Sequence, residues 1–266
     1  MLKSIPKSIL LTVLTAIILL SGRAFAGAIM ISGAMDVETE LMIAALDNRQ
    51  EYKIGAWRYV SGEYKNCPLI ISVTEIGCGN AAASTALGIE KFKPSAVINQ
   101  GTAGAHHRNI HRRDIIIGVA SFDISAHILD NDGKKLFGSY VYDETGGVFN
   151  QKIDFPADPQ LLDAAREASR NYTSGKIYEG KIATANSWHK KKSAIRRLNK
   201  QFNSLCEEME TAAVAQICYD YDVPFLGVRI ISNNELTGEP FDRNIGELCQ
   251  SFALEIARQY YETALR

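Results

Sequence analysis

Residues 225–231, FLGVRII, constrain the fold more than any other stretch of this chain. The run is apolar except at Gly227 and Arg229 and rich in β-branched side chains. Such a run, without period-2 alternation, fits a strand buried on both faces, as in a parallel sheet covered by helices. Ser232, Asn233, Asn234 and Glu235 follow at once, so the strand opens into a polar loop at its carboxyl end. Ligands of open α/β sheets bind at such ends, which makes Arg229 and Asn233 site candidates. Upstream, residues 204–221 read as an acidic lead-in and then a helix with Met209, Ala213, Ile217 and Tyr221 along one face. Pro224 marks the turn between that helix and the strand. Glu208 and Glu210 join the candidates if the helix start and the strand end meet.

The rest of the chain alternates strand and helix signals. Residues 28–32 are a short apolar strand that runs into Gly33, Ala34 and Met35, then a helix to Leu46 with Glu38 in its first turn. Gly33 and Ala34 let backbone approach a ligand, and Glu38 either complements the helix dipole or faces that ligand. Residues 57–61 and 69–73 read as a strand pair turning at Asn66, Cys67 and Pro68. Gly77, Cys78 and Gly79 lead into a small-residue helix, a pattern that suits either an anion cradle or close packing. The strand over 96–99 ends in Gln100, Gly101, Thr102, Ala103 and Gly104, where a hydroxyl and bare N–H groups can face a substrate. Strands over 114–119 and 176–183 and helices over 159–172, 190–200 and 241–265 complete the order. Residues 127–156, with turns at 130–133 and at Gly146 and Gly147, form a polar excursion. Trp188, just past a strand end, is either a rim residue or a stacking face for a flat ring. The alternation predicts an α/β three-layer sandwich with a central mixed, largely parallel sheet.

Residues 1–26 have the pattern of a cleaved signal peptide: Lys3 and Lys7, an apolar run from Ile9 to Leu20, then Ala24-Phe25-Ala26 before Gly27. Cleavage after Ala26 implies an exported protein, periplasmic or secreted, with residues 27–266 as one domain and no membrane attachment afterwards. Lys3, Lys7 and Arg23 leave with the leader, so 26 of the 29 basic residues face all 30 acidic ones, a net charge of −4. That balance gives no electrostatic case for nucleic acid. The histidines and arginines of residues 106–113 have no carboxylate or cysteine at ligand spacing, so a solvated basic loop is preferred to a metal site. Five cysteines lack any C-x-x-C spacing. Buried thiols are expected, with one disulfide open to them in an oxidising compartment.

Taken together, Gly33-Ala34-Met35 with Glu38, Gly101-Thr102-Ala103-Gly104, Glu208-Met209-Glu210 and Val228-Arg229-x-Ile231-Ser232 resemble the nucleoside phosphorylase superfamily. The likeness is greatest to its hydrolytic branch, the 5′-methylthioadenosine/S-adenosylhomocysteine nucleosidases, and spans residues 28–265. The resemblance implies an N-glycosidase that hydrolyses a purine nucleoside, without metal or cofactor, as a homodimer. Glu38 is then the base that activates water, with Thr102 and Arg229 holding that water beside Ala103 and Gly104. Glu210 accepts from the ribose hydroxyls with the Met209 backbone beside it and Glu208 and Ser232 nearby. Trp188 stacks on the purine, and Met35 and Phe241 line the pocket of the 5′ substituent. A carboxylate suits both tasks, because it takes a proton from water and offers only acceptors to a diol.

One position departs from the family motif. Where its Ile-Ser-Asp places an acid that protonates purine N7, this chain has Ile231, Ser232 and Asn233. An amide donates a hydrogen bond to N7 but gives up no proton. A neighbouring family Asp is likewise replaced, by Asn186. Two alternatives follow: a preference for 6-oxopurine nucleosides, or a non-catalytic nucleoside-binding relative of storage type.

Overall fold

The computed structural model describes residues 27–130, 133–143 and 148–266. The leader at 1–26 and parts of the turns at 130–133 and 146–147 lie outside the described residues. Fourteen strands and six α-helices follow in chain order. β1 is Ile29–Gly33, α1 Glu40–Ala44, β2 Asp47–Ile54, β3 Trp57–Tyr64 and β4 Cys67–Val73. Next come α2 Cys78–Phe92, β5 Ala96–Ala105, β6 Ile115–Asp123, β7 His127–Asp130, β8 Gly133–Leu136, β9 Ser139–Asp143 and β10 Val148–Lys152. The last are β11 Phe155–Pro156, α3 Pro159–Ser169, β12 Ile177–Thr184, α4 Lys192–Phe202, β13 Ser204–Glu208, α5 Thr211–Asp220, β14 Phe225–Asn233 and α6 Gly246–Tyr260.

Two-sided burial of apolar strands builds the layers. In β1 the side chains of Ile29 and Ile31 enter one core with Leu161 and Ala165 of α3 and Phe252 and Ile256 of α6. Met30, between them, enters the other with Ile89 and Phe92 of α2 and Val214 of α5. Helices thus cover both faces of the sheet, and β14 is buried at every residue, as the run at 225–231 requires.

The sheet is mixed. β1 pairs in parallel with β4 and β5, and β2, β3 and β4 form an antiparallel meander. β5 pairs with β14 from Val97 to Gly104 and, beyond the residues it pairs with β1, with β13 through Gly104 and Ala105. β14 then pairs with β6, β6 with β12 and β12 with β13, so the ladder closes into a ring. Closing it needs tight curvature where Gly118 faces Gly227. A Cβ on Gly118 would lie 2.6 Å from Ile182 Cδ1 and 2.9 Å from the Gly227 carbonyl oxygen.

Several boundaries differ from the sequence reading, each because tertiary pairing overrides local pattern. The stretch 100–105, read as a turn, stays in β5 because β14 and β13 both need its edge. The acidic lead-in is the strand β13 and not a helix start, with Glu207 and Glu208 on opposite faces. Helix α5 begins only at Thr211, where Glu208 Oε2 accepts from the Glu210 and Thr211 amides at 2.9 and 2.8 Å. The expected helix at 36–46 is a 3-10 turn, Asp36–Glu38, followed by the short α1. β2 was not foreseen, since its residues are nearly all exposed and polar. All five cysteines are unpaired, and all but Cys78 are buried.

Replacing Gly118 by Val is expected to destabilise the protein by about 3 kcal/mol, because the added atoms meet both the Ile182 side chain and the Gly227 backbone carbonyl. Urea denaturation of Gly118→Val beside the parent checks this.

Candidate active site

The site assembles where β1, β5, β13 and β14 end. β1 runs out at Gly33, and the 3-10 turn, closed by the Glu38 amide donating to the Met35 carbonyl at 2.9 Å, brings Glu38 back over the strand ends. Its Oε1 accepts from the Thr102 amide at 2.9 Å and the Thr102 hydroxyl at 3.1 Å. Its Oε2 accepts from the Ala34 amide at 3.2 Å. Gly101 is bare beneath it, and a Cβ there would come within 3.0 Å of the carboxylate. Gln100 Nε2 donates to the Glu38 carbonyl at 2.6 Å and fixes the turn from below. The strand-end amides that an oxyanion would need are therefore held by a carboxylate.

Arg229 lies under this floor, 1% exposed. Its Nε and Nη2 donate to Glu208 Oε2 at 3.2 and 2.6 Å, its Nη1 to the carbonyls of Asn99 and Val228, and its Nη2 also to Asn99 Oδ1. Burial alone would lower the Arg229 pKa, but the Glu208 and Glu210 charges outweigh it and the guanidinium is held charged. Burial pushes the Glu208 carboxyl up, and Arg229 and the Thr184 hydroxyl more than reverse this. Two expectations are corrected here. Arg229 has spent its N–H groups on protein acceptors and has none left for water. Glu208, 2% exposed and fully engaged, anchors the site and does not face a substrate.

Glu210 opens the third wall. Its Oε1 accepts from the Gly77 amide at 2.7 Å, and Asn186 Oδ1 accepts from the Cys78 amide at 2.9 Å. The Gly-rich start of α2, a possible anion cradle by sequence, is thus capped from within the chain. The Met209 carbonyl accepts from Cys78 Sγ at 3.3 Å. Burial, then the Glu208 charge, push Glu210 up to about 8. Both Glu38 and Glu210 act on the charge of Arg229, so the two carboxylates belong to one site.

The far end is apolar and open. Asn233 pairs in register with Gly104, and the Trp188 ring lies across Gly104, whose added Cβ would be 3.1 Å from Trp188 Cζ2 and 3.6 Å from Asn233 Nδ2. The Ser232 hydroxyl lies 3.1 Å from both the Ala103 carbonyl and Asn233 Oδ1, its two acceptors. Trp188, Asn233, Glu235 and Phe241 line a cavity of about 580 Å³. Thr102 and Gly104 are two residues apart on β5 and face the same side, so the Glu38 end and the Trp188 end are about 7 Å apart along the strand. That spacing suits a sugar anomeric carbon at one end and a flat base at the other.

The structure therefore brings Glu38, Thr102, Ala103, Gly104, Glu210, Ser232, Asn233 and Trp188 together, with Met209 beside Glu210. Met35 is half-buried at the turn before Glu38, and Phe241 is 56% exposed at the cavity mouth. Sequence reasoning gave no individual role to Asn99, Gln100 or Thr184. Asn99 and Gln100 left a signal, since polar residues at the end of an apolar strand need a reason to be buried. Among the described residues no group of three His, Cys, Asp or Glu side chains could hold a metal ion.

Comparison with known proteins agrees with this arrangement. The family model of the phosphorylase superfamily matches residues 28–261. The chain is 34% identical over 205 residues to the 5′-methylthioadenosine/S-adenosylhomocysteine nucleosidase of Psychromonas ingrahamii, covering 76% of this chain and 84% of that protein. Its Bacillus subtilis counterpart is 31% identical over 202 residues, 76% of this chain and 83% of that protein. Among solved structures, the Neisseria meningitidis nucleosidase of the same name, in complex with methylthio-immucillin-A, is similar with a TM-score of 0.73 at 25% identity, over 86% of this chain and 98% of that one. Futalosine hydrolase of Helicobacter pylori, at 21% identity and a TM-score of 0.72, shares the fold. From the first strand to the last helix, this chain belongs to the phosphorylase superfamily.

Proposed function

We propose that the protein hydrolyses the N-glycosidic bond of a purine nucleoside, 5′-methylthioadenosine or S-adenosylhomocysteine by preference. The observation that carries this reading is the Glu38 carboxylate, buried and seated on the Thr102 and Ala34 amides. A carboxylate there repels phosphate and accepts a proton from water, which favours hydrolysis over phosphorolysis. The names of the relatives support the same choice of substrate.

Water deprotonated by Glu38 attacks the anomeric carbon while the bond to the purine breaks. Glu210 accepts from the ribose hydroxyls, and its carboxyl, pushed up to about 8 in the ligand-free fold, stabilises the cationic sugar in its ionised form. Trp188 stacks on the base, and Asn233 donates to N7 of the purine, which leaves with the bond's electron pair as its anion and takes its proton from solvent. Arg229 and Glu208 hold the floor. Asn233 also favours a second reading, a 6-oxopurine nucleoside, because its amide can donate to O6. Two further proposals rest on less: export, on the leader pattern at 1–26, and a homodimer, on the exposed Ile76 and Phe241 beside the site.

Methylthioadenosine, adenosine and inosine, each with and without phosphate, are expected to give free base and free sugar whether or not phosphate is present. Glu38→Gln should lower kcat about 10²- to 10⁴-fold and leave nucleoside binding near the parent value. Release of base only with phosphate, or an active Glu38→Gln protein, would refute the reading. Asn233→Asp should raise the rate on adenine nucleosides by at least tenfold, measured as adenine release, because it restores an acid at N7.

The raised Glu210 pKa makes a separate test. Its ordinary value of 4.5 moves to about 8 in the fold, so the folded state holds the proton more tightly. The stability linked to Glu210 is complete below pH 4.5 and lost as pH rises through about 8. Denaturation of the ligand-free protein across that window should show a falling stability that Glu210→Gln flattens.

A further inference from the structure

Among the described residues, the mechanism leaves two buried acids unused, Asp114 and Glu207. Glu207 precedes Glu208 on β13 and points to the other face, 3% exposed. Its Oε1 accepts from the His189 amide at 2.9 Å, and its Oε2 bonds His189 Nδ1 at 2.7 Å. The same Oε2 lies 3.4 Å from Nε2 of His106, which is 1% exposed and bonded through Nδ1 to the Ser204 hydroxyl at 2.8 Å. Enclosing a carboxylate is costly unless it is paired and hydrogen-bonded, and here two histidines and a backbone amide converge on it.

His189 directly follows Trp188, in a stretch between β12 and α4 that has no regular secondary structure. No sheet ladder fixes the Trp188 backbone. The ties that hold this stretch are the Ala185 amide on the Glu208 carbonyl at 3.0 Å, Asn186 on Cys78, and the two bonds from His189 to Glu207. Among the described residues, only the last adjoin the tryptophan. Glu207 also sits opposite Gly104 in the β13 to β5 register, and Gly104 is the bare position that the indole covers. One strand position thus sets both the clasp and the floor beneath the ring.

We infer that Glu207 is a positioning residue: through His189 it fixes Trp188 over Gly104 as the platform on which the base stacks. The inference rests on the purine nucleoside reading for its benefit to the substrate, and on geometry alone for the clasp. A base stacked on a fixed indole binds more tightly than one that must first order the loop.

The test uses the full chain carrying Trp57→Phe, which leaves Trp188 as the sole tryptophan of the two in the sequence. Acrylamide quenching of its fluorescence, without substrate, is compared in that protein and in the same protein with Glu207→Gln or His189→Ala added. Quenching is expected to rise about twofold in both, and KM for a cleaved nucleoside about tenfold with kcat changed far less. His189→Gln, whose amide can still donate to Glu207, should recover most of both effects. His189 is partly exposed, so His189→Ala decides the matter should Glu207→Gln fail to fold. Unchanged quenching with His189→Ala, or a loss confined to kcat or to melting temperature, would overturn the inference. Because quenching is read without substrate, a parent that cleaves no nucleoside would refute the proposed function and leave the clasp standing.

Discussion

The buried pair of Arg229 and Glu208 is the interaction on which the rest of the structure depends. Arg229 comes from β14, Glu208 from β13, and Asn99, which takes two of the guanidinium bonds, from β5. Three strands of the closed ring are therefore joined at one point beneath the site. Removing one partner of a buried pair leaves an uncompensated charge and typically costs about 3–5 kcal/mol. The pair also caps α5 through Glu208 and so sets where Glu210 leaves the strand. Site geometry and fold closure are here the same set of bonds.

Above that floor, carboxylates occupy the places that an anionic nucleophile would need. Glu38 takes the amides of Ala34 and Thr102, and Glu210 takes the Gly77 amide at the head of α2. Fixed N–H donors that face an internal acid help hold a base ready for a neutral nucleophile. In the proposed reading, the amide at 233 works at the opposite end of the scissile bond, where the choice between donor and acid sets how the purine departs.

Much of this was legible in the sequence, and what was not has physical causes. The run at 225–231 announced a doubly buried strand because no other environment accepts so many apolar residues in a row. Glu38, Thr102, Glu210 and Trp188 were readable as a group through a resemblance, since their motifs are short and local. The roles of Arg229 and Glu208 were not, because donors spent on distant partners such as Asn99 leave no mark in local sequence. Residues 204–208 read only as an acidic lead-in to a helix for the same reason: their strand exists only because β5 and β12 supply edges on either side. Glu207 and His189, eighteen residues apart, meet only once that strand is in place.

All five cysteines of the folded chain are thiols. Burial pushes the Cys67, Cys78 and Cys249 thiols up to about 12, and those of Cys206 and Cys218 higher still. A sulfur that stays protonated is a poor nucleophile toward a passing oxidant or mixed disulfide. Once folded, the chain keeps its four buried cysteines shielded from oxidants whatever the redox poise around it.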